Sequence, residues 1–331
     1  MESIRETEAK QDRLLEKLKA FKIAVLVPCY NEEATIGAVV RDFRSALPEA
    51  LVFVYDNASS DRTSEVARQA GAIVRYESYA GKGNVVRRMF ADIDADIYIL
   101  VDGDDTYEAA AAPKLANALV ESHSDMINAS RVASSTEAYR LGHKFGNKLL
   151  TGLVAAIFGN HFRDMLSGYR VFSRRFVKSF PALAAGFEIE TELTVHALEL
   201  RMPVKEIATE YRSRPEGSES KLKTYSDGLR ILRTIIALVK EERPLQFFAL
   251  TFMVLATVSL VLAAPIVVEF LNTGLVPRFP TAILATGMML LSFLSLACGL
   301  VLDTVTLARR ESKRIAYLAI PKCCYPESES R

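Results

Sequence analysis

Three carboxylates, Asp102, Asp104 and Asp105, close an apolar run in the stretch Ile97–Tyr107, IYILVDGDDTY, with Gly103 between the first two. Carboxylate oxygens suit a hard divalent cation, which in turn can hold phosphate oxygens. The run Ile97–Val101 ahead of them has the composition of a strand buried in a parallel sheet. Ligands of open α/β sheets gather where such strands end. The cluster therefore reads as a metal–diphosphate site, with Gly103 permitting close backbone approach. A solvated acidic turn is the competing reading, because Asp and Gly are ordinary turn residues.

The elements that would position this cluster alternate in the βαβ manner from Lys22 onward. Ile23–Val27 reads as a first strand ending in PCYNEE. A helix follows, with Ile36, Val39, Val40 and Phe43 on one face. Leu51–Tyr55 reads as a second strand ending in DNASSD, and its helix stops near Gly71. Ala72–Tyr76 is the third strand, after which Gly81-Lys82-Gly83 opens a helix through Val85, Val86 and Met89. Parallel neighbours point their carboxyl ends the same way, so the loops PCYNEE, DNASSD and DGDD converge on one edge. Such a pocket has carboxylates for base, ribose and metal, with Lys82 near phosphate. The GKG stretch is neither a Walker loop nor a G-x-G-x-x-G fingerprint, which counts against ATP hydrolysis and dinucleotide binding.

Charge and cysteine content narrow the class. The 331 residues carry 41 Lys and Arg against 40 Asp and Glu, a net charge of +1, which gives no electrostatic argument for nucleic acid. Cys29, Cys298, Cys323 and Cys324 have neither metal-ligand spacing nor a secreted disulfide pattern. Met1–Ala20 is densely charged and lacks the apolar core of a signal peptide, so the first domain is expected to stay in the cytoplasm.

Leu245–Val268 and Thr281–Leu302 are uncharged for about the 20 residues that cross a bilayer. Glu269–Pro280 joins them. Arg230, Arg233, Lys240 and Arg243 precede the first stretch, and Arg309, Arg310, Lys313 and Arg314 follow the second, whereas the connection holds only Arg278. The positive-inside rule places both ends in the cytoplasm. Leu229–Val239 suits a basic amphipathic helix at the interface. The stretch Phe145–Ile157 has the same helical spacing and suits either an interfacial helix or core packing.

Read together, Val27-Pro28-x-Tyr30-Asn31-Glu32, Asp56-Asn57-x-Ser59-x-Asp61 and Asp102-x-Asp104 resemble the ordered motifs of family 2 inverting glycosyltransferases. Within that family the chain is most similar to polyprenyl-phosphate glycosyltransferases, over roughly Lys22 to Lys240. Met126–Arg131 resembles the strand that ends in Gly-Ser-Arg, with Ala129 in place of glycine. Asp164-Met165-Leu166-Ser167-Gly168-Tyr169-Arg170 resembles the D-x-x-[SC]-G-[FY]-R segment near the transfer site. Arg214–Lys221 resembles the Arg…Gly-Glu-Ser-Lys loop with one extra residue, which leaves Arg212 an alternative to Arg214.

The resemblance implies a GT-A fold, α/β with a Rossmann-like, mostly parallel sheet and flanking helices, followed here by a two-helix transmembrane hairpin. The expected organisation is a charged N-terminal helix over 1–21, a glycosyltransferase domain over 22–225 and a juxtamembrane amphipathic helix over 226–243. Membrane helices over 244–268 and 281–302 and a cytoplasmic basic tail over 303–331 complete it. The implied site has Pro28, Tyr30, Asn31, Glu32, Asp56, Lys82, Asp102, Gly103 and Asp104 around the nucleotide sugar, Asp56 at the nucleobase. Mg²⁺ or Mn²⁺ would lie on Asp104 and Asp102. Arg131, Ser167, Arg170, Arg214 and Lys221 would serve the acceptor and the phosphates, with Asp104, Arg131 and Asp164 at the transfer itself. Asp105 departs from the pattern, and its role is open.

The expected reaction is transfer of a hexose from a UDP- or GDP-linked donor to polyprenyl phosphate at the cytoplasmic face of the inner membrane, for cell-envelope glycan synthesis or modification. The chain would be multi-pass, free of nucleic acid and able to self-associate. An acceptor phosphate whose second pKa is about 6 is largely ionised at neutral pH, so no general base is demanded. Two rivals are a processive polysaccharide synthase, disfavoured by the absence of tryptophan and by only two spans, and a non-catalytic scaffold for lipid-sugar translocation. At the start of a later helix, Glu188, Glu190 and Glu192 read chiefly as complements to the helix dipole. One of them could instead orient sugar hydroxyls or brace an arginine, and His196 reads as an ordinary helix residue.

Overall fold

The structure is a computed structural model. It describes residues 14–133, 152, 162, 164–186, 188–212, 237, 240–241 and 243–321. The chain divides into two compact units, one comprising Met1–Gly228 with Lys313–Arg331 and the other Leu229–Ser312.

The first unit is built on a seven-stranded mixed sheet. Its elements run β1 (Ile23–Cys29), α1 (Ile36–Ala46), β2 (Leu51–Asp56), α2 (Thr63–Gln69), β3 (Ile73–Tyr76), α3 (Lys82–Asp92) and β4 (Ile97–Leu100). A 3-10 turn and α4 (Ala112–Glu121) lead to β5 (Met126–Ala133). After them come β6 (Arg170–Ser173), α5 (Arg174–Ser179), α6 (Ile189–Glu199) and β7 (Val204–Tyr211). The strand order is β3-β2-β1-β4-β6-β5-β7. Chain order reverses direction between β1 and β4, which opens a crevice at their carboxyl ends.

Strand alternation sorts the core into two layers. On one face Ile23, Val25, Val27, Val52, Val54, Ile97 and Ile99 pack with Ile36, Val39, Val40 and Phe43 of α1 and Leu115 and Leu119 of α4. Each fully buried Val, Leu or Ile is worth roughly 1.5–3 kcal/mol relative to exposure. On the other face aromatic rings dominate. Phe90 lies 5.9 Å from Phe172 and 6.0 Å from Phe180, and Phe172 stacks on Phe176 at 4.6 Å. His196 fits this layer as an ordinary buried residue, edge-on to Phe176 at 5.3 Å with Nε2 3.2 Å from Ser179 Oγ.

Strand β6 explains how late sequence reaches the crevice. It pairs antiparallel to β4 and β5, with Arg170 opposite both Leu100 and Asn128. Because it enters from the carboxyl edge of its neighbours, the turn 164–169 lies beside the ends of β4 and β5. Strand β5 continues past β6 and pairs in parallel with β7 from Met126↔Val204 to Ala133↔Tyr211. Arg131 and Tyr211 are carried to the same edge.

The second unit holds the long apolar helix α7 (Pro244–Thr273) and all of a second, α8 (Phe279–Leu318), up to Ser312. Both are long and apolar enough to cross a membrane. Gly274 ends α7 in the left-handed region at φ 70°, its N–H donating to Phe270 O at 2.7 Å. Small residues at seven-residue spacing, Ala285, Ser292 and Gly299, form the buried seam of α8. Ser259 Oγ donates to Ala285 O at 2.7 Å, and Ser295 Oγ to Phe248 O at 3.1 Å. Close approach through small residues is how helices associate where lipid tails offer no hydrophobic contrast. Large side chains such as Leu250, Met253, Leu290 and Leu294 point outward instead.

The expected spans fall inside longer helices, since helical hydrogen bonding continues through the flanking polar residues. Most of the expected N-terminal helix, the stretch Phe145–Ile157 and the juxtamembrane segment lie outside the described residues.

Candidate active site

The three loops that follow β1, β2 and β4 are stapled to one another. Asn31 N donates to Ser59 Oγ at 2.9 Å, Glu32 N to Thr63 Oγ1 at 2.8 Å, and Ser60 N to Asn31 Oδ1 at 2.8 Å. Thr35 Oγ1 donates to Gly103 O at 2.7 Å, tying the first loop to the acidic one. Each loop holds one non-glycine residue at positive φ, namely Asn31 (53°), Ala58 (60°) and Asp105 (55°). Asn and Asp tolerate this region, whereas an alanine there carries strain, which concentrates at functional sites.

Asp56 and Asn57 shape the second loop. Asp56 accepts from Ser59 N at 2.9 Å and from Ser64 Oγ at 2.5 Å. Asn57 Nδ2 donates to Glu77 O and Tyr79 O, and its Oδ1 accepts from Gly81 N at 2.7 Å. Beside them Pro28 is half-buried and Tyr30 is 47 % exposed.

The acidic loop is divided between two environments. Asp104 is buried, and Thr106 Oγ1 donates to its Oδ1 at 2.6 Å. Asp102 is half-buried and pairs with Lys82, whose Nζ stands 2.5 Å from Oδ1. Lys82 also reaches Glu190 Oε1 at 2.6 Å. Burial by itself disfavours the ammonium, but Asp102 and Glu190 outweigh it and lift Lys82 above the ordinary lysine range. Burial, reinforced by Asp42 and opposed by Arg212, raises the Asp105 carboxyl.

Glycines explain how these groups come so close. A Cβ on Gly168 would lie 2.2 Å from Asp102 Oδ2, so any larger residue in the turn before β6 would push the carboxylate from its place. A Cβ on Gly83 would stand 2.1 Å from Ala184 O, and one on Gly81 would stand 2.3 Å from Ala185 O. The GKG stretch thus seats the segment leading into α6, a packing role beyond opening a helix.

On the β5 side Arg131 grips Asp164 in a fork, Nε to Oδ2 at 2.7 Å and Nη2 to Oδ1 at 2.8 Å. Its guanidinium lies 5.5 Å from the Tyr211 ring centroid. Asn128 Nδ2 donates to Asp164 O at 2.7 Å and Glu206 Oε1 at 2.9 Å, fixing the Asp164 backbone. Asp164 is placed to position Arg131. Tyr107 completes this wall, its OH accepting from Gly168 N at 2.9 Å.

Two expected phosphate contacts are placed otherwise. Ser167 is fully buried and donates to Ala129 O at 2.6 Å. Arg170 is 0 % exposed, with donors spent on Ser167 O, Thr194 Oγ1 and Met165 O. Burial pulls its pKa down to about 10. Both brace the turn from within, which answers the satisfaction demand of buried polar groups and leaves them off the pocket wall. Arg214 and Lys221 lie outside the described residues.

Two of the three glutamates, both in the first turn of α6, also have specific partners. Glu190 belongs to the Lys82 cluster, while Glu192 accepts from Leu183 N at 2.9 Å and Ala184 N at 2.8 Å. Tyr107 was given no role by local pattern, and the contacts that Glu190, Asn57 and Gly168 make were not visible in the stretches that contain them. Their partners lie 20 or more residues away in sequence, and only the three alternating glutamates hinted at more than a helix start.

Asp102 and Asp104 offer the hard oxygen donors that Mg²⁺ or Mn²⁺ takes, but no group of three or more such ligands exists among the described residues. Two carboxylates fit a cation that completes its shell with substrate phosphate and water, as Mg²⁺ commonly does.

Comparison with known proteins agrees with this architecture. The profile of "Glycosyl transferase family 2" matches residues 24–180. The glycosyltransferase AglJ of Haloferax volcanii is 33 % identical over 302 residues, covering 89 % of this chain and 98 % of that protein. A dolichyl-phosphate hexose transferase of the same organism is 27 % identical, covering 67 % of this chain and 95 % of that one. Glucosyl-3-phosphoglycerate synthase of Mycobacterium tuberculosis, solved with Mn²⁺, UDP-glucose and phosphoglyceric acid, superposes with TM-score 0.56 at 22 % identity. That match covers 69 % of this chain and 81 % of the other. The chain belongs to glycosyl transferase family 2 and is a glycosyltransferase.

Proposed function

We propose that the protein transfers a hexose from a UDP- or GDP-linked donor to a polyprenyl phosphate at the cytoplasmic face of the inner membrane, inverting the anomeric centre. The observation that carries this reading is the pairing of Asp102 and Asp104 at the β1/β4 crevice with the Arg131 fork on the next strands. The relative named a dolichyl-phosphate hexose transferase and the two helices long enough to span a bilayer support the acceptor class. Basic residues flanking both helices support a multi-pass chain with both ends cytoplasmic.

An oxygen of the acceptor phosphate attacks the anomeric carbon as the bond to the diphosphate oxygen breaks, and the nucleoside diphosphate leaves. The nucleophile is already anionic, so no residue is asked to remove a proton. Asp104 and Asp102 would hold Mg²⁺ or Mn²⁺, whose charge would stabilise the departing diphosphate. Asp56 and Tyr30 would take the nucleobase, with Pro28, Asn31 and Glu32 beside them. Arg131, set by Asp164, would orient the acceptor phosphate, because its planar fork suits paired oxygens. Arg214 and Lys221 would add cationic charge against the phosphates.

Purified full-length protein, incubated with polyprenyl phosphate, Mn²⁺ and labelled UDP-glucose, UDP-galactose or GDP-mannose, should yield a lipid-linked sugar from one donor. A folded preparation that yields none from any hexose donor contradicts the proposal.

A further inference from the structure

Among the described residues, the buried carboxylate with an unmatched oxygen nearest the acidic loop is Glu190. Its residue exposure is 6 %, Oε1 is taken by Lys82 at 2.6 Å, and Oε2 has no hydrogen-bond partner among the described residues. Resting on the donor assignment above, we propose that Glu190 Oε2 accepts a hydrogen bond from a hydroxyl of the donor hexose, making Glu190 a sugar-specificity residue.

Position supports this. Lys82 bridges Glu190 to Asp102, so the free oxygen lies one ammonium away from the carboxylate assigned to the diphosphate. The group that adjoins the diphosphate on the side away from the nucleobase is the sugar. Charge selects the same partner, since an anionic oxygen repels a phosphate and accepts from a neutral hydroxyl. The oxygen is also held in place. Glu190 O accepts from Thr194 Oγ1 at 3.0 Å, and Thr194 accepts from the buried Arg170 at 2.8 Å. Upstream, the carbonyls of Ala184 and Ala185 are seated against Gly83 and Gly81. A rigid acceptor of this kind discriminates between hydroxyl configurations, because a donor lacking the hydroxyl leaves the buried oxygen unmatched.

The test compares matched ligands on full-length protein with Mn²⁺: UDP against UDP-glucose and UDP-galactose, and GDP against GDP-mannose, by calorimetry. Glu190→Gln keeps the shape and removes the charge, while Glu190→Ala removes the contact altogether. Thermal melts confirm that each variant is folded. For the pair bound by wild type, both variants should weaken the nucleotide sugar by roughly tenfold to a hundredfold and leave the bare nucleotide within about threefold. Equal loss on both members would overturn the proposal, because Glu190 would then act only through Lys82 on Asp102. So would no loss on either. Failure of wild type to bind any of these nucleotides would overturn the donor assignment as well, which separates the two outcomes.

Discussion

Asp104, buried and oriented by Thr106, is the carboxylate on which the proposed transfer depends most. Asp104→Asn keeps the size and the hydrogen bond but halves the anionic ligand set with Asp102. Transfer should fall by roughly a hundredfold or more, with the thermal melt little changed, as for other losses of charge stabilisation at a reacting centre. His196 makes a separate prediction about stability. Burial holds its pKa down at about 3, against 6.5 for an exposed imidazole. The unfolded chain therefore binds the proton first, and stability declines as pH falls from about 6.5 towards 3. At pH 5.5 the loss from this residue is roughly 1.4 kcal/mol. Denaturant titrations at pH 7.5 and 5.5 should show it in wild type, and His196→Gln should show a smaller difference between the two pH values. The carboxylates and arginines could be nominated from sequence because each sits in a short local pattern. Their division of labour was not legible: Arg170 looks like a phosphate ligand in sequence, yet its three-way bonding to Ser167, Thr194 and Met165 requires the folded turn.

Elements were legible where burial imposed a period. Ile23–Val27 and Ile97–Val101 show as strands because both faces of a central strand are covered, which makes the run continuously apolar. Strand β6 was the hard one: RVFS is four residues long, and its antiparallel insertion between β4 and β5 rests on long-range pairing. The glycines of the GKG stretch were visible, but their reason was not, since the carbonyl they receive is a hundred residues downstream. Gly83→Ala would drive a Cβ to within 2.1 Å of Ala184 O, a backbone atom that has no rotamer to change. The variant should lose about 1–3 kcal/mol in denaturant titration as the segment before α6 shifts. Its affinity for nucleotide sugar should fall with it, because that segment leads to Glu190.

Across the whole molecule, a family 2 catalytic unit and two helices able to span a bilayer share one chain. The apolar outer faces of α7 and α8, with Leu250, Met253, Leu290 and Leu294 exposed, are unsuited to water and suited to lipid. This arrangement was legible from hydropathy alone, because about 20 uncharged residues in a row is a signal that needs no tertiary context. The identity of the hexose was not, since it depends on a few hydrogen-bonding groups gathered from separate elements. A single transfer to a lipid phosphate is read most directly in the structure of the product. Lipid extracted after incubation with polyprenyl phosphate and the active donor should carry one hexose on a monophosphate, with β configuration from an α-linked donor. A polymer of sugars on the lipid, retained configuration, or sugar found only in water-soluble products would contradict it.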